Sequence, residues 1–194
     1  MSRMREPKIY TSDEELAEVT LGEPDVINSS ILLVESDPHW PLLFEQERSR
    51  IVKVLGSCAL AVEHVGSTSV KALPAKPIID ILLVVEDSNA EEDYLPQMEQ
   101  AGYRLRIREP DWFAHRMFKG PDTDINLHVF SRGCEEIERM LAFRNWLRQN
   151  EQDRNLYAET KRTLAQKKWK YVQNYADAKS TVVLEIMARA LKVY

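Results

Sequence analysis

The chain has 194 residues, of which 44% are hydrophobic and 29% charged, with a formal net charge of -5. That size and balance suit one globular domain with a proper core, or a domain with a small appendage. The acidic surplus argues against a role in coating nucleic acid, though not against a local basic pocket; the longest apolar run, 78–85, is too short to cross a bilayer and carries Asp80.

From the N-terminus, residues 1–16 are polar and charged, so no secretory leader is expected. Cys58 and Cys134 lie far apart and match no metal spacing, which points to free thiols in a reducing, cytoplasmic setting. Residues 1–30 read as an N-terminal extension ahead of a domain over 31–194. Ser12-Asp13-Glu14-Glu15 forms a capping box, so a short helix should start at Asp13 and end before Gly22 and Pro24. This arm is expected to pack on the domain or to mediate self-association as a homodimer. Residues 31–35 predict a short strand. Asp37 then caps a helix with Pro38 at its first position. Trp40, Leu43, Phe44, Ile51, Val54 and Leu55 recur at helical spacing, and Gly56 closes the helix.

Two central strands are predicted over 59–65 and 78–85, then an amphipathic helix over 90–101 ending at Gly102. Three further strands follow over 103–108, 113–119 and 124–130, with Gly120-Pro121-Asp122 as a turn. Helices are predicted over 135–149, 153–169 and 174–192. The expected class is α+β: a mixed β-sheet with flanking helices and a helical C-terminal half.

The chemistry concentrates in His64-Val65-Gly66-Ser67-Thr68-Ser69 and the run Lys76-Pro77-Ile78-Ile79-Asp80-Ile81. This reads as strand, small-residue turn, and an apolar strand with one carboxylate inside it. A charge there is costly unless it is paired or binds a metal. Asp80 is therefore either a Mg²⁺ ligand or a buried acid satisfied by Ser and Lys groups. Gly66 lets backbone approach a ligand closely. Ser67 and Thr68 add hydroxyl and amide donors suited to a phosphate. Asn126 and His128 share one face of their strand, so His128 is a candidate ligand or base, or a hydrogen-bonded core histidine. Asp124 lies on the same face, as a substitute carboxylate or a turn residue. Glu63 and His64 point to opposite faces, so at most one meets the cleft. His115 and Lys119 share a face and Arg116 takes the other, suiting a phosphate contact or a solvated edge. Arg144, Lys161 and Lys179, from three C-terminal helices, could each reach inward to a triphosphate. The run Lys167-Lys168-Trp169-Lys170-Tyr171 reads as a basic helix end rather than a nucleic-acid contact.

Residues 62–70 and 75–81, with Asp37-Pro38-His39-Trp40-Pro41, Asn126-Leu127-His128-Val129, Leu141-Ala142-Phe143-Arg144 and Tyr175-Ala176-Asp177-Ala178-Lys179-Ser180, resemble the GrpB family. That family is assigned to the nucleotidyltransferase superfamily, whose fold is that of the DNA polymerase beta catalytic core. The resemblance implies a nucleotidyltransferase-like mixed sheet that binds a nucleoside triphosphate with Mg²⁺ or Mn²⁺ and transfers a nucleotidyl group to a small acceptor. It assigns Asp80 to the metal, with His128 and Asp124 on the strand where the superfamily has its third acid. Gly66, Ser67, Thr68, Lys76, Arg144 and Lys179 would hold phosphates. Two departures stand out. Leu82 replaces the superfamily's second carboxylate, and Val70-Lys71-Ala72-Leu73 replaces a common Val-Pro-Gly-Leu. Leu82 favours the alternative of a degenerate, non-catalytic module that binds a nucleotide, a coenzyme or a partner. GrpB-like segments appended to coenzyme A biosynthetic kinases point the same way.

Overall fold

The computed structural model describes residues 11–192. The first ten residues of the N-terminal extension, and with them most of the polar stretch 1–16 from which no leader is expected, lie outside the described residues. Its centre is a five-stranded mixed sheet of β2 (Ala61–Val65), β3 (Ile79–Val85), β4 (Arg104–Glu109), β5 (His115–Lys119) and β6 (Ile125–Ser131), ordered β2-β3-β6-β5-β4. Only β3 and β6 run parallel; the other pairings are antiparallel. β3 lies between β2 and β6 and is covered on both faces, which is why its sequence is a nearly unbroken apolar run.

One face of the sheet carries Ile79, Ile81, Leu83 and Val85 with Ile125, Leu127 and Val129. Helix α2 (Trp40–Leu55) lays Trp40, Phe44, Ile51 and Leu55 on it, and α3 (Leu95–Gln100) adds Met98. Inside this apolar layer Glu47 is buried and accepts a 2.6 Å hydrogen bond from the Tyr103 hydroxyl. The opposite face carries Val65, Leu82, Val84 and Phe130 under Trp112, Phe113 and the Ile137, Met140 and Leu141 stripe of α4 (Glu135–Gln149). Helices α5 (Glu151–Ala165) and α7 (Ser180–Ala190) complete that layer through Tyr157, Ala158, Val182 and Ile186, packed on Val70 and Leu73.

The capping box forms as expected: Ser12 and Glu15 exchange side-chain and backbone bonds at the start of α1 (Asp13–Val19). Several boundaries differ from the sequence-based expectation. No strand forms at 31–35; Val34 makes one isolated bridge to Ala75, while Ile31 drops into a cluster with Ala165 and Tyr175. The strand forms earlier, as β1 (Val26–Ser29), and pairs with β7 (Trp169–Tyr171). That pairing ends α5 at Ala165, short of Trp169. Helix α2 begins at Trp40 with Pro41 in its first turn, and Asp37 instead accepts from the His39 amide. The expected strand start at Phe113 is a turn, because Phe113 and Ala114 have φ of 53° and 50°. The last helix divides into α6 (Val172–Asp177) and α7, with a break at Ala178 and Lys179. The break matters for the site, because it lets Lys179 lean toward the sheet.

Candidate functional site

Asp80 is the second residue of β3 and faces Val65 on one side and Asn126 on the other. Its Oδ1 accepts a 2.8 Å bond from the Asn126 amide, and His128 Nε2 stands 3.9 Å away. Burial pushes the Asp80 carboxyl up, but His128 and Asn126 outweigh it, so it stays below the usual aspartate value. Gly66 closes the other flank with φ of 67° and ψ of -172°, a conformation close to glycine-only. A β-carbon there would come within 2.8–2.9 Å of Asp80 Cβ and Cγ, and nearer still to Oδ2. Glycine is thus needed twice, for its backbone and for its lack of volume.

After Gly66 the chain makes a single tight turn over Ser67–Ser69. The Thr68 hydroxyl lies 3.0 Å from His64 Nε2, and His64 stacks on Phe44 at 4.7 Å. Burial lowers His64 to about 4, so it is a neutral brace behind the turn. Ser67 points the other way, and its Oγ accepts a 3.0 Å bond from Lys161 Nζ. Lys161 is 2% exposed and also donates to the Pro74 carbonyl. Lys76 and Lys179 enter the same cavity, which Tyr175 closes; Lys179 Nζ sits 4.5 Å over the Tyr175 ring. The cavity has a volume of about 50 Å³. Burial, then mutual repulsion, lowers Lys76 to about 8 and Lys161 to about 6. Lys179 falls to about 8 through burial, with Asp80 and Asp177 opposing.

Gly66, Ser67, Thr68, Lys76, Asp80 and Lys179 therefore come together, and His128 borders them. Arg144 and Asp124 go elsewhere. Arg144 ties α4 to β2 by bonds of 2.8 Å to Glu63 Oε2 and 2.9 Å to the His64 carbonyl. Asp124 is exposed and pairs with Lys119 at 3.1 Å. It lines a wider neighbouring cleft of about 250 Å³ with Arg104, Arg106 and Lys119. Lys161, a candidate in the sequence but not among the assigned site residues, and Tyr175, marked there only as part of a family-like segment, both line the cavity. Lys161 shares the buried stripe of α5 with Tyr157, Ala158 and Ala165, a spacing that marks it as inward-facing. His115 was also undervalued. Its Nδ1 lies 2.7 Å from Glu109 Oε2 and its Nε2 lies 3.0 Å from His128 Nδ1. With Glu109 accepting from His115 Nδ1–H, His115 Nε2 is left to accept from His128 Nδ1–H. Burial lowers His115 to about 4, consistent with a neutral link.

The sequence profile of the GrpB protein family matches residues 30–189. The chain belongs to the GrpB family. It is 66% identical to a UPF0157 protein of Halalkalibacterium halodurans over 179 residues, 92% of each chain. The crystal structure of GrpB from Enterococcus faecalis superposes with a TM-score of 0.74 at 35% identity, covering 84% of this chain and 99% of that one. A dephospho-CoA kinase of Mycobacterium leprae matches at 29% identity over 200 residues, 88% of this chain and 48% of the kinase.

This GrpB site offers a divalent cation little. Such ions want several hard oxygen ligands, and a two-metal clamp needs carboxylates that bridge. Among the described residues Asp80 is the one acid lining the cavity, and Asn126 already bonds it. Where a second acid would stand, Leu82 is fully buried among Val65, Val84 and Phe130. Glu63, level with Leu82 on β2, is held by Arg144. Among the described residues no three His, Cys, Asp or Glu side chains converge to hold a metal. The donor set does not fit the two-cation arrangement. The departure at Ala72 is milder: Ala72 keeps a positive φ of 63°, so the turn survives without a glycine. No helix among the described residues is long and apolar enough to cross a membrane.

Proposed function

We propose that this GrpB-family chain is a nucleotidyltransferase that binds the polyphosphate of a nucleoside triphosphate beside Asp80 and passes the nucleotidyl group to a small hydroxyl-bearing acceptor. One observation carries the reading: Lys76, Lys161 and Lys179 share a cavity with Ser67 and Asp80. Transfer of this kind is mostly positioning and charge neutralisation. The lysines would neutralise phosphate oxygens, and Ser67 would donate its hydroxyl. His128 Nε2 would take the acceptor's hydroxyl proton, with Asp80 stabilising the imidazolium. The acceptor oxygen would bond to the α-phosphorus, and the bond to the bridging oxygen would break, releasing pyrophosphate. The wider cleft lined by Arg104, Arg106 and Lys119 gives room for the nucleoside or the acceptor.

The test is incubation with α-labelled nucleoside triphosphates and a panel of hydroxyl- and phosphate-bearing acceptors. Transfer of label with equimolar pyrophosphate supports the reading. Tight nucleotide binding without transfer refutes it and leaves a second one, a non-catalytic nucleotide or coenzyme module. Leu82 and the match to part of a dephospho-CoA kinase favour that second reading.

A further inference from the structure

We infer that the side chains of Lys76, Lys161 and Lys179 do the work of a divalent cation here, so that the cavity takes a polyphosphate directly and prefers it free of Mg²⁺. The inference rests on the polyphosphate reading of the cavity and names the ionic form it accepts.

The charge pattern is the first ground. Three lysines line a space in which Asp80 is the only acid among the described residues. The bonds of Lys161 go to neutral oxygens, the Ser67 hydroxyl and the Pro74 carbonyl. Lys179 rests on an aromatic ring. Buried cations with too few anions are unfavourable, and a multiply charged anion relieves that. The second ground is the donor set. A cation entering this space would meet, among the described residues, one carboxylate, already bonded by Asn126, and the repulsion of the Lys76 and Lys179 ammonium groups. Mg²⁺ bound to a polyphosphate also cancels two of the negative charges that the lysines would recognise. The metal therefore competes with the protein for the anion instead of bridging the two.

A consequence concerns protons. The charged groups acting on these lysines are Asp80, Asp124 and Asp177 on one side and Lys119 and Arg162 on the other. Burial and like charge hold Lys161 mostly neutral near neutral pH. An arriving anion reverses that balance, so binding should draw protons from the buffer.

The experiment is calorimetric titration of the full chain with sodium tripolyphosphate near neutral pH, in EDTA and again in excess Mg²⁺, in two buffers of different ionisation enthalpy. The expected result is binding that is several-fold tighter in EDTA than in excess Mg²⁺, with net proton uptake. Lys179→Met and Lys76→Gln, shown to be folded by circular dichroism, should each lose roughly tenfold in affinity, and Lys179→Arg should retain most of it. Affinity in Mg²⁺ that equals or exceeds that in EDTA overturns this inference and leaves the polyphosphate reading standing. Binding that neither lysine variant weakens places the anion elsewhere and overturns the inference too. No binding in either condition overturns both the inference and the polyphosphate reading.

Discussion

Replacing Gly66 by alanine probes the contact on which the site is built. Two costs combine. A non-glycine residue at φ of 67° and ψ of -172° carries roughly 1–3 kcal/mol of backbone strain. The new methyl would also lie within 2.8–2.9 Å of two Asp80 carbons, and such overpacking typically costs about 1–3 kcal/mol. The sum is about 4 kcal/mol of lost stability. Only the second part depends on Asp80. In an Asp80→Gly background, which removes the Asp80 β-carbon as well as its carboxylate, the methyl has space, so Gly66→Ala should cost about 2 kcal/mol there, all of it backbone strain. Urea unfolding of the four proteins of this cycle measures both values. Equal costs in the two backgrounds, or a total below about 1 kcal/mol, would refute the claim that the turn is pressed against Asp80.

Three other predictions are smaller in scope. Lys161 is held at about 6 in the fold against 10.5 ordinarily, so the unfolded chain binds its proton throughout that window and stability rises with pH across it. Lys161→Met should flatten the rise by up to about 1.4 kcal/mol per pH unit between pH 7 and 9, read from urea midpoints; an unchanged slope would mean that Lys161 is charged in the fold. Arg144→Ala should lower the melting temperature by several degrees, since its bonds to Glu63 and the His64 carbonyl join α4 to β2. It should leave tripolyphosphate affinity within about twofold; a larger loss would return Arg144 to the binding site. Ala72→Gly should stabilise the fold by about 0.5–1 kcal/mol in thermal melts, because φ of 63° strains alanine; destabilisation would show that its methyl packs usefully.

Much of the sheet was legible because its strands are marked by period and punctuation. The run 78–85 is apolar but for Asp80 because β3 is central, and Gly56, Gly102 and Gly120 fall at element ends. The turn at Gly66 and the acid at Asp80 stand out because each breaks the local pattern. What sequence reasoning lost was long-range pairing. Nothing local marks Val26–Ser29 as a strand; it becomes one through Trp169–Tyr171, and the same partnership ends α5 early. The break at Lys179 is likewise invisible in a sequence of good helix formers. Lys161 was legible in principle from its stripe on α5, but a lysine on a charged helix is usually solvated, and only the depth of the cavity overrules that. Arg144 shows the reverse case: it sits in a family-like segment, yet its bonds brace β2 and do not face the cavity.

The most direct measurement is a crystal structure with a non-hydrolysable nucleoside triphosphate. Phosphate oxygens should lie within hydrogen-bonding distance of Lys76 Nζ and Lys179 Nζ, with Ser67 Oγ on the same group and Asp80 facing the α-phosphate. A triphosphate seated elsewhere on the chain, with the three lysines untouched, would contradict the assignment of this cavity as its binding site.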